Sequence, residues 1–257
     1  MCCWAKQARR TDPAVAVIRA TLFTLIIAIW TVFCGTLVLC TYVLPEAPRF
    51  RSCYAVCQMW RRGFMALCAP LLGIRYQLQG TENISSTPSI YLAKHQSAWE
   101  TIGLQLWTPP AVFVLKRELL RIPFFGWALW GLRMIWIDRS AGKAALAKIV
   151  TQGEQRLADG LSIIIFPEGT RVAPGQMGKF KAGGAHLASR TGAPVIPVAH
   201  NAGELWPRNA FLKKPGTITV RFGPAIDPAG LSENELNTRV ETWIREAMRE
   251  LPPAIRA

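Results

Sequence analysis

Between residues 20 and 44 the chain carries no charged side chain. As one helix that run would reach roughly 37 Å, against about 30 Å of bilayer hydrocarbon. A cleaved leader has an apolar region of only about 7–15 residues, closed by small residues at the cleavage point. Here the run is too long, and its exit, Leu44-Pro45-Glu46-Ala47-Pro48-Arg49, is unsuited to cleavage. The expectation is a retained membrane anchor. Lys6, Arg9, Arg10 and Arg19 flank it on one side, and Arg49, Arg51, Arg61 and Arg62 lie beyond it on the other. Basic residues on both sides give the positive-inside rule no asymmetry to use. A second apolar stretch, residues 53–74, is interrupted by Arg61-Arg62 and by Pro70. It fits an interfacial amphipathic helix or the return arm of a hairpin, and a single full span fits as well. The arginines from Arg19 to Arg62 are expected near a membrane surface.

The net charge of +14, with 51% hydrophobic and only 18% charged residues, excludes a disordered basic tail and points to an anionic partner. Ten tryptophans could stack on bases. Many aromatics sit inside apolar runs, however, and no nucleic-acid motif is present, so membrane lipids rather than nucleic acid are the expected partners. Cys2, Cys3, Cys34, Cys40, Cys53, Cys57 and Cys68 all precede residue 75. Cys53 and Cys57 have no second pair or nearby histidine to complete a zinc site, and neither a disulfide framework nor a cysteine nucleophile is expected.

From residue 75 the pattern changes to strands alternating with helices. Strands are predicted at 75–79 (an edge), 89–93, 111–115, 134–137, 162–166, 194–199 and 217–222. Helices are predicted at 99–106, after Pro123, at 141–158, from Gly183-Gly184 through Arg190, and at 231–251. The expected organisation is an N-terminal membrane-associated helical segment, residues 1–74, followed by an α/β domain, residues 75–257. Its mostly parallel or mixed central sheet would be flanked by helices.

Three polar clusters follow predicted core strands: His95 with Glu100, Lys116 with Arg117, and Glu168-Gly169-Thr170-Arg171. In such folds ligands bind beyond the carboxyl ends of the strands, so the clusters can meet on one rim. His95 in the loop and Glu100 in the first turn of the next helix would form a base and its orienting carboxylate. Arg171, the Thr170 hydroxyl and the Gly169 backbone are parts that hold a phosphate, and Lys116, with Arg117 behind it, adds a cation. There is no Gly-rich nucleotide loop and no Gly-x-Ser-x-Gly elbow. A phosphate site beside a membrane anchor suggests that the proton His95 removes comes from a phospholipid precursor's hydroxyl, which attacks an acyl group directly. His186 and His200 are the remaining histidines, and no His-Glu-x-x-His pattern supports a metal centre. Neither a metal nor a cofactor is expected. A nonenzymatic anionic-lipid binder is the rival class, and it would tolerate loss of His95.

His95-Gln96-Ser97-Ala98-Trp99-Glu100 resembles the first block of the glycerophospholipid acyltransferase family, whose usual form is His, four residues, then Asp. Val114-Leu115-Lys116-Arg117-Glu118-Leu119 with Pro123 and Gly126 resembles the second block. Phe166-Pro167-Glu168-Gly169-Thr170-Arg171 resembles the third, and Val195-Ile196-Pro197-Val198 the fourth. The likeness spans residues 75–225 and is greatest to bacterial members acting on 1-acylglycerol 3-phosphate. It implies acyl transfer from acyl carrier protein or coenzyme A, as co-substrate, to the 2-hydroxyl of lysophosphatidate at the cytoplasmic face of a bacterial inner membrane. It further implies that Lys116 and Arg171 hold the phosphate, that Glu168 and Gly169 shape that site, and that residues 195–198 help form the acyl environment. A lyso-ornithine lipid or another lysophospholipid is the alternative acceptor. Glu100 stands where the family usually has Asp, so the reach to His95 must differ by one methylene.

Overall fold

The computed structural model describes residues 12–138 and 141–255. Helix α1 (Pro13–Cys40) opens with the Asp12 carboxylate accepting the Ala14 amide and proline in its first turn, two features that suit a helix start. A short turn, Thr41–Val43, leads into α2 (Glu46–Leu72), which runs back along α1 and stops at Gly73 in the left-handed region. Arg19 donates to the Pro70 carbonyl at 2.7 Å and the Trp30 indole to the Trp60 carbonyl at 3.3 Å. The second apolar stretch is therefore the return arm of a hairpin.

Arg61, Arg62 and Pro70 do not interrupt α2. Pro70 lies in the last turn, where little helix remains to be disturbed. Arg61 is not at the surface: it is 6% exposed and donates to the Gln105 side chain, while Arg62 points outward. Cys2, Cys3, Lys6, Arg9 and Arg10 lie outside the described residues; Cys34, Cys40, Cys53, Cys57 and Cys68 are free thiols.

The sheet has seven strands: β1 (Ile74–Gln79), β2 (Ile90–Ala93), β3 (Ala111–Lys116), β4 (Ile135–Ile137), β5 (Ser162–Ile165), β6 (Val195–His200) and β7 (Gly216–Phe222). Their order is β1-β7-β6-β2-β5-β3-β4. All neighbours pair in parallel except β6 with β7, which makes the sheet mixed and puts β1 on an edge. Ile90, Leu92, Ile163, Ile164, Val195 and Ile196 are fully buried, which explains why the central strands read as continuous apolar runs. Helices α3 (Trp99–Trp107), α4 (Phe125–Gly131), α5 (Lys143–Ala158), α6 (Gly183–Thr191), α7 (Ala202–Leu205) and α8 (Glu233–Glu250) cover the sheet. α8 begins with a reciprocal cap between Ser232 and Glu235.

The hairpin stays against the α/β domain along its length. The Phe23 ring lies 5.8 Å from Trp206, and the Tyr42 hydroxyl donates to the Trp127 carbonyl at 2.8 Å. Gly35 permits a close approach, because a Cβ there would stand 2.6 Å from the Phe124 ring. The parallel run β6-β2-β5-β3 places the carboxyl ends of four strands on one rim, facing this hairpin side.

Candidate active site

β2 ends at Ala93, and Lys94 to Ala98 cross the rim to reach α3. His95 Nδ1 lies 2.9 Å from Glu100 Oε1. The same oxygen accepts the Gln96 amide at 3.0 Å and the Ser97 amide at 2.8 Å. Glu100, fully buried at the start of α3, therefore gathers the ring and the loop backbone onto one atom. Burial pushes its carboxyl up. The nearby His200, the His95 hydrogen bond and the Ser97 amide outweigh that, and the net is below the ordinary carboxylate value. An ionised Glu100 can only accept, so His95 carries its proton on Nδ1 and presents the Nε2 lone pair. The ring stacks on Phe166, with centroids 4.0 Å apart and planes 16° from parallel.

A second carboxylate fixes the backbone of the same loop. Glu168 is buried and turned inward, with Oε1 2.5 Å from Lys94 Nζ; both side chains are 0% exposed. Oε1 also accepts the Gly178 amide at 2.8 Å, and Oε2 accepts the His95 amide at 3.0 Å. From the other side the Val172 amide donates to the His95 carbonyl at 2.8 Å. Gly169, at φ 67°, supplies the left-handed step that lets the chain turn from Glu168 towards the rim.

His200, at the end of β6, closes the arrangement from below. Its Nε2 donates to the Lys94 carbonyl at 2.7 Å and its Nδ1 accepts the Ala202 amide at 3.3 Å, which requires a neutral imidazole. Burial pushes its pKa down and outweighs the opposing pull of Glu100. An unfolded chain takes up a proton here below about pH 6.5, where the folded one does not, so stability is full above that pH and falls as pH drops through it. The slope attributable to this group is at most about 1.4 kcal/mol per pH unit. Thermal unfolding from about pH 7.5 to about pH 5.5 is expected to show a smaller loss in His200→Gln than in the parent. An equal loss in both would remove His200 as the titrating group.

Beside His95 lies a cavity of about 670 Å³, a size common for ligand sites. Lys116, Gly169, Thr170 and Arg171 line its polar side. Val38, Trp60, Ile102, Phe113 and Leu115 are among the residues of its apolar side, which the hairpin and the sheet domain build jointly. Of the sequence-predicted residues, His95, Lys116, Gly169, Thr170 and Arg171 meet at this cavity, with Glu100 directly behind His95. Lys116 is half exposed and lies 3.0 Å from Glu118. Arg117 is exposed and does not line the cavity, and Glu168 faces Lys94 instead.

Three residues escaped the sequence reading. Lys94 directly follows the strand predicted at 89–93, and its place beside His95 is a usable signal. His200 directly follows the strand predicted at 194–199, and no neighbouring residue signals its partner. Arg208 lines the cavity from the loop after α7, and no local pattern announces it.

The family model described as Acyltransferase matches residues 75–201. The chain is similar to the 1-acyl-sn-glycerol-3-phosphate acyltransferase of Pseudomonas aeruginosa, with 46% identity over 243 residues covering 93% of each chain. It is also similar to the enzyme of that description from Cocos nucifera, with 33% identity covering 66% of this chain and 56% of the relative. Its fold matches the crystal structure of the 1-acyl-sn-glycerophosphate acyltransferase PlsC from Thermotoga maritima. The TM-score is 0.78 at 25% identity, covering 93% of this chain and 97% of that one.

Proposed function

The chain belongs to the acyltransferase family as an O-acyltransferase of its 1-acyl-sn-glycerol-3-phosphate type, and on that footing we propose that it makes phosphatidate. The acyl chain would move from an acyl-carrier-protein or coenzyme A thioester to the 2-hydroxyl of 1-acylglycerol 3-phosphate. The observation that carries this reading is one cavity that joins the His95–Glu100 pair, cationic side chains and a long apolar wall.

Lys116, Arg171 and Arg208 hold the phosphate, and the hydroxyl is thereby brought to His95 Nε2. His95 takes the hydroxyl proton as the oxygen attacks the thioester carbonyl carbon, and the imidazolium is stabilised by Glu100. The tetrahedral intermediate collapses with cleavage of the C–S bond. The departing sulfur takes the proton from Nε2 and leaves as the thiol, which returns His95 to its starting state. The apolar wall accommodates an acyl chain, and no metal or cofactor enters the chemistry.

Among the described residues one stretch, Pro13–Val43, is long and apolar enough to cross a bilayer. It exposes Ile18, Leu25, Ile29, Val32 and Phe33 on one side, while Phe23, Cys34 and Val38 are buried on the other. Contacts at Phe23 and Tyr42 tie both halves of this stretch to the α/β domain, so standing it upright in the bilayer would carry polar parts of that domain into hydrocarbon. The hairpin therefore lies in the interface with its apolar face in the acyl region. A cytoplasmic thioester donor sets it on the cytoplasmic face of a bacterial inner membrane.

Arg171→Ala tests the phosphate contact. A lost charged hydrogen bond is expected to raise the lysophosphatidate KM by about 10-fold or more, with kcat reduced less. A KM equal to the parent's would place the phosphate elsewhere.

A further inference from the structure

A second cavity, of about 410 Å³, lies where the hairpin tip meets α4 and α5. Three guanidinium groups line it: Arg49 from α2, Arg133 from the turn before β4, and Arg156 from α5. Two carboxylates face them. Asp159 Oδ2 lies 2.9 Å from Arg133 and 3.7 Å from Arg156, and Glu46, largely exposed, lies 3.7 Å from Arg133. The local balance is one positive charge in excess. Arg49 meets the Tyr42 ring at 5.5 Å rather than a carboxylate. Arg156 donates through Nε to the Arg133 carbonyl at 2.7 Å, and its buried Nη1, 3.7 Å from Asp159 Oδ2, makes no hydrogen bond among the described residues. Burial and the neighbouring Arg133 charge both press on this guanidinium. Arg133 is moreover held in the left-handed region at φ 56°, a conformation a non-glycine residue adopts at a cost. Grouped cations and an unmet donor are together what a bound anion would relieve.

The rim indicates where the anion comes from. Tyr42 and Trp130 line the cavity and are 39% and 58% exposed; Val43, next to Tyr42, is 86% exposed. Exposed aromatic and aliphatic side chains beside arginines match the level of a bilayer where headgroups sit. We propose that this cavity binds the phosphate of an anionic phospholipid, whose tails leave over the apolar rim. It is separate from the catalytic cavity but shares a wall with it, because Leu129 and Met134 line both. A seated lipid therefore braces one side of the acyl site.

The test is binding of short-chain phosphatidylglycerol to the full chain in neutral detergent micelles, where no charged bilayer contributes and no turnover is needed. Arg49→Gln is the informative variant, since among the described residues Arg49 holds no ion pair whose loss would disturb the fold. Its Kd is expected to rise by about 10-fold or more, the loss of one charged hydrogen bond. Arg62→Gln, an exposed change on the same helix, is expected to stay within about twofold. Equal effects of the two variants would overturn the site in favour of diffuse charge. Because the shared chemistry is a phosphate ester, sn-glycerol 3-phosphate is run as a competitor. Its failure to displace the lipid is expected, and displacement at equal concentration would overturn the lipid assignment in favour of a soluble phosphate.

Discussion

His95→Ala is expected to lower kcat by about 10²–10⁴-fold, the range carried by a positioned general base. The fold should survive it. Glu100 keeps the Gln96 and Ser97 amides after the ring is gone, and the lost surface is mainly the stacking on Phe166. A Tm within about 4 °C of the parent is the corresponding expectation. Because His95 and Glu100 act as one unit, His95→Ala with Glu100→Gln should be no slower than His95→Ala alone. A simple lipid-binding protein has no turnover for either change to remove. Acyl transfer measured on the parent and both variants decides the point, and full activity in His95→Ala would refute the role assigned to it.

Glu168→Gln is expected to be the most damaging conservative change for stability, at about 3–5 kcal/mol. The side chain keeps its shape, but Lys94 Nζ is left charged at 0% exposure with its counter-ion gone. The Gln oxygen can still accept one amide, but no longer those of both His95 and Gly178 as well as the Lys94 ammonium. Lys94→Met should restore part of the loss when combined with Glu168→Gln, because the double variant buries no unpaired cation. Thermal unfolding in detergent reads both effects. A Glu168→Gln protein within about 1 kcal/mol of the parent would show that the pair does not hold the loop.

These expectations separate what local sequence could show from what only the assembled chain shows. The strands were legible because β2, β5 and β6 are buried on both faces, so apolar runs ending in polar clusters mark their exits. The His95–Glu100 pair was legible because a loop and one helical turn suffice to join them. Glu100 reaches Nδ1 at 2.9 Å with its extra methylene, and the oxygen also takes two loop amides. The direction of Glu168 was not legible. A turn after a strand can aim its carboxylate outwards to ligand or inwards to the sheet, and only the arrival of Lys94 from the neighbouring strand settles it. Arg61 misled for a similar reason: a charge in an apolar run reads as a break until a partner such as Gln105, far along the chain, is brought to it. Arg208 reaches the cavity only through tertiary packing, and Arg117, adjacent to Lys116, is carried away from it by the turn that follows β3.

The central claim is that this chain acylates a lysolipid recognised by its phosphate. The most direct measurement offers the purified protein a labelled acyl thioester with three acceptors in parallel: 1-acylglycerol 3-phosphate, 1-acylglycerol without phosphate, and lyso-ornithine lipid. Phosphatidate as the dominant product, with kcat/KM falling by about 10-fold or more when the phosphate is absent, is the predicted result. Equal or faster acylation of either acceptor lacking phosphate would contradict it.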